Sequence, residues 1–448
     1  MNKKLVILGS GESGTGAAIL AKRKGFDVFV SDKGKIKDVY KNKLQEEGIA
    51  FEEETHSYDI IFAADEIIKS PGIQEKYEVM KKIRERNIPV VGEIEFAWRY
   101  CEGKVIAITG SNGKSTCTSL TFHMLQNAGL NVAIGGNIGK SFAELVANGK
   151  HEYYVLEISN FQLDDAVTFK PYISILLNIT PDHLDSYEYQ FERYVASKFR
   201  IKMNQTVGDY FIYNADDIVI TETLNKELNN NNGPKVLPFT LDDRQGEGAW
   251  VADNQIQIQI NQNKFTMTIN ELALQGKHNQ YNTMAAGISG KLLGLNNENI
   301  RESFSDFTTL EHRLEFVAQV HGIEFINDSK ATNVNSTWYA LESQTKPVIW
   351  IVGGIDKGND YSLITDLVKK KVKAIVCLGK DNTRIQQAFS KLVDIVVNTE
   401  SMRDCVEMAY RLGNNGDVVL LSPACASFDL FENFEDRGNQ FKARVREL

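Results

Sequence analysis

The sequence has few cysteines, no excess of positive charge and no long apolar run, and each absence excludes a class of protein. Its five cysteines, at positions 101, 117, 377, 405 and 425, are odd in number and show no paired spacing. A disulfide framework or a zinc site is therefore not expected, and a reducing compartment is favoured. We recognise no signal peptide and no run of about 18 apolar residues that could span a bilayer. A cytoplasmic protein is predicted.

Charge and length define the broad class of protein. Acidic side chains outnumber basic ones by 59 to 50, which gives a net charge of −9. A binder of nucleic acid or of anionic membranes needs a basic surface, so neither partner is expected. With 448 residues, of which 42% are hydrophobic and 24% charged, the chain is long enough for about three globular domains.

Alternating strand and helix patterns predict an α/β fold with three domains, residues 1–92, 93–308 and 309–448. The first is a Rossmann-like parallel sheet that includes "KLVILG" and "DVFVSD", with a helix from Thr15 to Lys24 ended by Gly25. A linking helix, "EIEFAWRYCEG", follows it. The central P-loop domain has the buried parallel strands "KVIAIT", "YYVLEIS" and "YISILLNIT" and the antiparallel hairpin "IQIQINQNKFTMTI". The third is again Rossmann-like, with strands "VIWIVGG", "KAIVCLG", "VDIVVN" and "DVVLLSP".

A glycine-rich loop follows the first strand. In "LGSGESGTG", Gly9, Gly11 and Gly14 fit G-x-G-x-x-G, and Asp32 follows the next strand near the position of a ribose-binding acid. Such a loop lets the backbone approach a diphosphate at a helix N-terminus. Taken alone, the loop favours an NAD-dependent dehydrogenase.

The second section carries a more specific motif, "ITGSNGKST", between a strand and a helix. The backbone N–H groups of such a loop surround phosphates, Lys114 can reach the β- and γ-phosphates, and Ser115 or Thr116 can bind Mg²⁺. The usual pattern has a glycine where this sequence has Ile108, but the other positions of the motif fit. Phosphate binding is therefore favoured over a plain glycine turn.

Three further candidate side chains follow in the second section. Glu157 ends "YYVLEIS", where an acid beside a phosphate loop can hold Mg²⁺. His183, in "NITPDHLDSY", lies at the same sheet edge, and its chemistry alone favours catalysis and a structural role about equally. Lys198, in "FERYVASKFRIK", is interpreted from the residues as a solvated charge on a helix.

Three polar loops follow strands of the third section. "NDSKATN" includes Asp328, Lys330 and Thr332, a density of polar groups that suits an anionic substrate, although helix capping explains Thr332 equally well. "GGIDKGNDY" repeats this arrangement with Lys357 as its cation. In "LLSPACASFDLFENFEDRGNQF", Ser427 can donate to a carboxylate, whereas the phenylalanines are expected to pack.

In combination, these motifs resemble those of the Mur ligases. The shared stretches occur in family order over all three sections: "TGSNGKST", "EISNFQLD", "NITPDHLDSY", "YVASKFRI", "GKHNQYN", "EHRLEFV", "NDSKATN" and "LLSPACASFDLFENFEDRG". The first glycine loop and the last motif are most similar to the members that add D-glutamate to UDP-N-acetylmuramoyl-L-alanine. The resemblance implies an ATP-dependent amide-bond ligase of peptidoglycan precursor synthesis with these two small molecules as substrates. A monomer is expected.

The resemblance also implies roles for matching residues. ATP would contact the loop and positions beyond it: Gly110, Ser111, Asn112, Gly113, Lys114, Ser115, Thr116, Asn279, Asn282, Arg313 and Asp328. Ser115 and Glu157 would ligate one Mg²⁺ and His183 a second, with Lys198 converted to a carboxylate by carbamylation with CO₂. The catalytic side chains would be Lys114, Glu157, His183, Lys198 and Lys330.

The substrates would contact two further groups of residues. The UDP sugar would contact Glu12, Ser13, Gly14, Asp32, Lys33, Ser70, Pro71, Gly72 and Asn137, with the Glu12 carboxylate turned away from the diphosphate. D-Glutamate would contact Thr332, Lys357, Ser427 and Phe434. Because these cations lie in a different section from the phosphate loop, we expect the third domain to close onto the second. Some relatives have an acid where this chain has Ile355, which leaves the role of Asp356 open.

Three alternatives remain at this point. A dehydrogenase would leave the phosphate loop and the Mg²⁺ candidates without a purpose. A nucleotide-gated scaffold would bind ATP without substrate-stimulated phosphate release. A Mur-family or folylpolyglutamate-type ligase for a different amino acid would act on that amino acid in place of D-glutamate.

Overall fold

The computed structural model describes residues 3–227, 232–308 and 311–448, and it contains three separate sheets. The chain divides into two compact units, Met1–Phe307 with the first two sheets and Thr308–Leu448 with the third. The predicted three-part α/β architecture is confirmed. The domain boundaries remain predictions, and residues 309 and 310 lie outside the described part. In that part, no helix has the length and apolar character needed to cross a membrane.

The first sheet has five parallel strands in the order β3-β2-β1-β4-β5. Helices cover it, and four of the five β1 side chains are buried, as a parallel sheet requires. Its elements are β1 Lys4–Leu8, α1 Glu12–Arg23, β2 Asp27–Ser31, α2 Asp38–Glu46, β3 Ala50–Glu52, α3 Tyr58–Phe62, β4 Glu66–Lys69, α4 Glu78–Glu85, β5 Val90–Gly92 and α5 Glu93–Trp98.

The first helix starts earlier than the sequence predicted. It begins at Glu12 rather than Thr15, because the Thr15 N–H already donates to the Gly11 carbonyl at 2.9 Å and closes a first turn. Its C-terminus follows the prediction: Gly25 has φ +85°, the left-handed conformation that glycine adopts without strain.

The second sheet has nine strands in the order β14-β13-β12-β11-β10-β9-β6-β8-β7. The seven strands β7, β8, β6, β9, β10, β11 and β12 pair with one another in parallel, and β12, β13 and β14 form an antiparallel meander that contains the predicted hairpin. The elements are β6 Lys104–Thr109, α6 Lys114–Asn127, β7 Val132–Gly136, α7 Phe142–Asn148, β8 Tyr153–Glu157, α8 Asn160–Asp164, β9 Ile173–Leu176, α9 Phe191–Phe199, β10 Tyr210–Asn214, α10 Ile218–Glu227, β11 Lys235–Thr240, β12 Gly248–Ala252, β13 Gln255–Ile260, β14 Asn263–Thr268, α11 Lys277–Leu292 and α12 Asn297–Ser305.

The third sheet, in the second unit, has the order β15-β16-β20-β17-β18-β19. All pairs are parallel except the edge pair β15–β16, whose antiparallel strand the sequence did not predict. The elements are β15 Glu315–Val320, β16 Ile323–Asn327, α13 Val334–Glu342, β17 Val348–Val352, α14 Thr365–Lys371, β18 Val372–Leu378, α15 Thr383–Phe389, β19 Val396–Thr399, α16 Met402–Leu412, β20 Val418–Leu421 and α17 Phe434–Arg446.

The linking helix α5 is part of the core of the first unit. Ile94, Phe96 and Ala97 are buried in one apolar cluster with side chains of both the first and the second sheet. Glu93, only 1% exposed, accepts a hydrogen bond from the Ala143 N–H of α7 at 2.5 Å. Burial raises the pKa of the Glu93 carboxyl to about 8.

We predict that Glu93→Gln removes a pH-dependent loss of stability. The folded state keeps the Glu93 proton up to about pH 8, whereas the ordinary pKa is 4.5, so the free energy of unfolding of the wild type falls as pH rises through that window. Gln is isosteric with the protonated acid. Relative to that of the wild type, the free energy of unfolding of the variant should rise by on the order of 1.4 kcal/mol for each pH unit between these values.

Urea unfolding of both proteins at pH 5, 6.5 and 8 measures this difference. The exposed Glu102, whose partner is Lys150, provides the control Glu102→Gln. A difference between Glu93→Gln and wild type that stays constant with pH would contradict the assignment.

Candidate functional site

A cavity of about 390 Å³ lies in the first unit, where loops of the first and second sheets meet. Its wall includes residues predicted from the sequence to contact the UDP sugar and residues predicted to bind ATP phosphates. The lining residues are Pro71, Gly72, Gln74, Lys114, Asn137, Ser159, Asn160, Phe161, Asp182, His183, Tyr194 and Lys198. Most of them lie in or directly after the loops at the carboxyl ends of parallel strands, the usual position of ligands in α/β proteins, and Tyr194 and Lys198 lie on α9.

The phosphate loop joins β6 to α6. Gly113 has φ +85°, and a Cβ there would lie 2.6 Å from Asn282 Oδ1, so the position requires glycine. Ile108, which replaces the usual motif glycine, is still part of β6 and pairs with Glu157 and Ile175. A strand position needs no glycine, so the departure from the motif does not alter the turn.

The segment after β9 holds the phosphate loop in shape. The Asn178 side chain accepts from the Asn112 N–H at 2.8 Å and donates to the Asn112 carbonyl at 3.0 Å. The Ser111 hydroxyl donates to the Thr180 carbonyl at 2.8 Å and lies 2.9 Å from the Tyr194 hydroxyl. Sequence reasoning assigned no role to Asn178, Thr180 or Tyr194, because their partners lie 66 to 83 positions away.

Two lysines converge on this loop. Lys114 Nζ donates to the Gly110 carbonyl at 2.7 Å, and Lys198 Nζ donates to the same oxygen at 3.0 Å. Lys198 is 1% exposed and lies 4.6 Å from the centre of the Tyr194 ring, so its interpretation from the residues as a solvated charge is wrong. Burial and the Lys114 ammonium lower the pKa of the Lys198 amine well below its usual range.

The candidate Mg²⁺ ligands lie at the same sheet edge. Glu157 is buried at the end of β8, and its Oε1 accepts from Asn137 Nδ2 at 2.8 Å. Ser115 is buried in the first turn of α6. His183 Nε2 lies 3.7 Å from Asp182 Oδ2.

Among the described residues, no three His, Cys, Asp or Glu side chains are grouped closely enough to hold a metal by themselves. Mg²⁺ usually binds one or two carboxylates together with waters and substrate phosphates. The carboxylate of Glu157, the hydroxyl of Ser115 and the nearby phosphate loop fit that pattern.

Asn279 and Asn282 lie on α11 beside the phosphate loop. Both are buried, Asn282 Nδ2 donates to Asn279 Oδ1 at 3.3 Å, and Asn282 packs against Gly113. The predicted ATP residues of the first unit therefore form one group.

The first glycine loop adopts a cradle geometry at the start of α1. A Cβ on Gly14 would lie 1.8 Å from the Gly9 carbonyl oxygen, so only glycine allows the helix to approach the loop this closely. Asp32 accepts from the N–H and the hydroxyl of Ser10 at 2.7 and 2.6 Å and from the Gly34 N–H at 2.8 Å. Its carboxylate thus fixes both the glycine loop and the loop after β2, in which Lys33 is exposed.

Further predicted site residues lie in the second unit. Three loops there follow the neighbouring strands β16, β20 and β17 and are tied by backbone hydrogen bonds from Ala424 to Ala331 and between Ile355 and Ala426. These loops and the start of α17 carry the predicted group Lys330, Thr332, Lys357, Ser427 and Phe434. Ser427 is buried, and Lys330 Nζ lies 5.2 Å from the centre of the Phe434 ring.

A buried arginine, which sequence reasoning missed, joins the same loops. Arg437 is 1% exposed, and its guanidinium donates to Ser329 Oγ at 3.0 Å, to the Ser329 carbonyl at 2.9 Å and to the Cys425 carbonyl at 3.2 Å. Burial lowers its pKa to about 10. Its only sequence signal was its place in the motif "ENFEDRG".

Two acids of the second unit have defined surroundings. Burial raises the pKa of Asp328 to about 7, and its carboxyl accepts from Ser422 Oγ at 2.9 Å. Asp356 accepts from the N–H groups of Gly358 and Asn359 at 2.7 and 2.9 Å. Asp356 therefore shapes the loop that carries Lys357.

Family models match all three parts of the chain. The MurD N-terminal domain matches residues 4–79, the Mur ligase middle domain 108–290, and the Mur ligase glutamate ligase domain 312–425. A UDP-N-acetylmuramoylalanine–D-glutamate ligase of Christiangramia forsetii is 55% identical over 448 residues, which is 100% of both chains. This chain belongs to the Mur ligase family. A second such ligase, from Bacteroides fragilis, is 52% identical over 447 residues, again 100% of both chains.

Solved Mur ligase structures have the same fold at much lower identity. The UDP-N-acetylmuramate–alanine ligase MurC of Thermotoga maritima is similar with a TM-score of 0.64, 16% identity and full coverage of both chains. A pseudomurein peptide ligase type C from Methanothermus fervidus has a TM-score of 0.63 and 20% identity, also with full coverage of both chains. At these identities the likeness concerns the fold.

We predict that Asn178→Ala weakens ATP binding about tenfold, because the phosphate loop loses both hydrogen bonds of that side chain. Isothermal titration with ATP and Mg²⁺ measures the effect. Asn204→Ala is the matched control, since that side chain also donates to two backbone carbonyls, those of Val167 and Phe169. Equal ATP affinity in Asn178→Ala and Asn204→Ala would contradict the role of Asn178.

Proposed function

We propose that this Mur ligase joins D-glutamate to UDP-N-acetylmuramoyl-L-alanine with hydrolysis of ATP to ADP and phosphate. The observation that carries the proposal is a single cavity lined both by Pro71 and Gly72 of the first sheet and by Lys114 and His183 of the second. A cavity between the loop after β4, which is predicted to contact the UDP sugar, and the phosphate loop suits a reaction between a UDP-linked acid and ATP. The D-glutamate ligases at 52% and 55% identity over the full length support the same substrates.

The reaction follows from the chemistry of an acid and an amine, which do not condense spontaneously at neutral pH. The alanine carboxylate attacks the γ-phosphate and forms an acyl phosphate with release of ADP. The D-glutamate amine then attacks the acyl carbon, the amide forms and phosphate leaves. Because a carboxylate and a triphosphate repel each other, Lys114 and further cations must neutralise and align them.

Mg²⁺ would be held by Ser115 and Glu157 at one position and near His183 and Lys198 at a second. When bound, Mg²⁺ would neutralise charge on the phosphates and the attacking carboxylate. An uncharged or cationic Lys198 contributes no anionic ligand to such a site. Carbamylation of the buried Lys198 amine would supply a carboxylate and would place a negative charge beside the Lys114 ammonium, which shares the Gly110 carbonyl with Lys198.

D-Glutamate would be bound in the second unit. Its two carboxylates require cations and hydroxyl donors, which Lys357, Thr332 and Ser427 supply. Lys330 would act on the reacting phosphate, and Arg313 and Asp328 would contact the nucleotide. The buried Arg437 holds these loops in register, so the proposed contacts depend on a fixed set of backbone positions.

The alternatives have less support. A dehydrogenase would use the cradle of α1 but not the phosphate loop, and the three family models that match this chain all describe Mur ligase domains. The cytoplasmic location and the monomeric state predicted from the sequence remain predictions.

An amino-acid panel tests the proposed function. With ATP, Mg²⁺ and UDP-N-acetylmuramoyl-L-alanine, the purified protein should release phosphate when D-glutamate is added. L-Glutamate, L-lysine and diaminopimelate serve as matched controls and should leave phosphate release at background. Turnover with one of these and none with D-glutamate would assign the chain to another specificity.

We predict that Lys198→Ala lowers phosphate release at least a hundredfold and that added short carboxylic acids, such as acetate or propionate, restore part of it. The cavity left by the lysine can admit a small carboxylate in place of the carbamate. Chloride at the same ionic strength is the control. Full activity of Lys198→Ala without any addition would refute the carbamate role.

A further inference from the structure

Glu12 is part of the first glycine loop, yet its side chain leaves that loop. It is the first residue of α1, where the backbone would face a diphosphate and a carboxylate would repel it. Its Oε1 instead accepts a hydrogen bond at 3.3 Å from the N–H of Ser141, the residue that directly precedes α7. Tyr40 and Lys43 of α2, Glu93 of α5 and Glu144 of α7 are further polar groups that face it.

Ser141 connects this contact to the centre of the site. It caps α7 by accepting from the Glu144 N–H, and the loop before it is closed by a hydrogen bond from the Gly136 N–H to the Lys140 carbonyl at 2.9 Å. Within that loop, Asn137 donates to Glu157 twice, from its N–H to the carbonyl and from Nδ2 to Oε1, both at 2.8 Å. A shift of Ser141 would therefore move Asn137 against Glu157.

The surroundings of this contact are closely packed. A Cβ on Gly16 of α1 would lie 2.0 Å from Ser141 Oγ, so the two helices meet without space for another side chain. Lys43 pairs with Glu144 at 2.8 Å, and Glu93 accepts from the Ala143 N–H. The start of α7 is thus held from α1, α2 and α5 together, which are all elements of the first sheet.

We propose that Glu12 is a positioning residue that fixes the spacing between the diphosphate cradle and the Asn137 loop. The inference rests on the proposed function, in which the UDP end of the substrate occupies the cradle and the muramoyl end lies at Asn137. One long substrate then binds two loops, and among the described residues the Glu12–Ser141 contact is the one hydrogen bond between them that starts within the cradle itself. Such preorganisation strengthens binding of the complete substrate but not of either half.

Binding of UDP alone and of complete UDP-N-acetylmuramoyl-L-alanine distinguishes this role from a general loss of stability. Glu12→Ala should weaken binding of the complete substrate about tenfold, as expected for one lost hydrogen bond to a charged group, and change UDP binding less than twofold. Glu12→Gln keeps an acceptor oxygen for the Ser141 N–H and should restore most of the affinity. If Glu12 acted only through the dipole of α1, the uncharged Gln would not restore it.

Glu102→Ala, which removes an exposed ion pair with Lys150, is the control and should change neither affinity. Equal losses for UDP and the complete substrate in Glu12→Ala, or no loss for either, would overturn the inference. Failure of the wild-type protein to bind the complete substrate would instead refute the proposed function. The two failures are therefore distinguishable in one set of titrations.

Discussion

The side chains of Lys114 and Lys198 share one backbone carbonyl, that of Gly110, and the electrostatics of the site depend on this contact. The Lys114 and Lys198 nitrogens lie 2.7 and 3.0 Å from that oxygen, inside a wall that also contains Asp182 and His183. Two ammonium groups at such distances repel each other, and burial increases the cost. Burial and the Lys114 ammonium therefore lower the pKa of the Lys198 amine and favour a Lys198 that is uncharged or whose charge is reversed.

Charge reversal at Lys198 would turn this unfavourable arrangement into a productive one. Lys114 would then face an anion, and the proposed Mg²⁺ position near His183 would gain a carboxylate. The phosphate loop is held in place by Asn178 and Thr180 in either case. The same burial that lowers the pKa of the Lys198 amine also provides the unprotonated nitrogen that reacts with CO₂. The electrostatics of the site and the proposed ligase chemistry thus both depend on the contact between Lys198 of α9 and the phosphate loop after β6.

Local patterns predicted the parts of the molecule that depend on neighbouring residues. Strand β6, the phosphate loop and the start of α6 were predicted because glycine, lysine and hydroxyl positions are fixed within nine residues. The three-residue strand β3 and the edge strand β15 were not predicted, since short or half-exposed strands leave a weak pattern. Helix α1 was predicted three residues short because its first turn is glycine- and serine-rich.

Long-range contacts explain the rest. Three contacts join residues that lie 66 to 108 positions apart, a distance that no local spacing reveals. They are the hydrogen bonds of Asn178 with Asn112, of Lys198 with Gly110 and of Arg437 with Ser329. The resemblance to a known family assigned Lys198 to the site, whereas the residues alone suggested a solvated charge. The Glu12–Ser141 contact spans 129 positions and became visible only in the folded chain.

The charge state of Lys198 is the claim that can be measured most directly. We would record ¹³C NMR spectra of the protein equilibrated with ¹³C-labelled bicarbonate, with and without Mg²⁺, and of Lys198→Ala under the same conditions. The account predicts a carbamate carbonyl resonance in the wild type that strengthens with Mg²⁺ and is missing in the variant. A wild-type spectrum without that resonance, or one identical to that of Lys198→Ala, would contradict it.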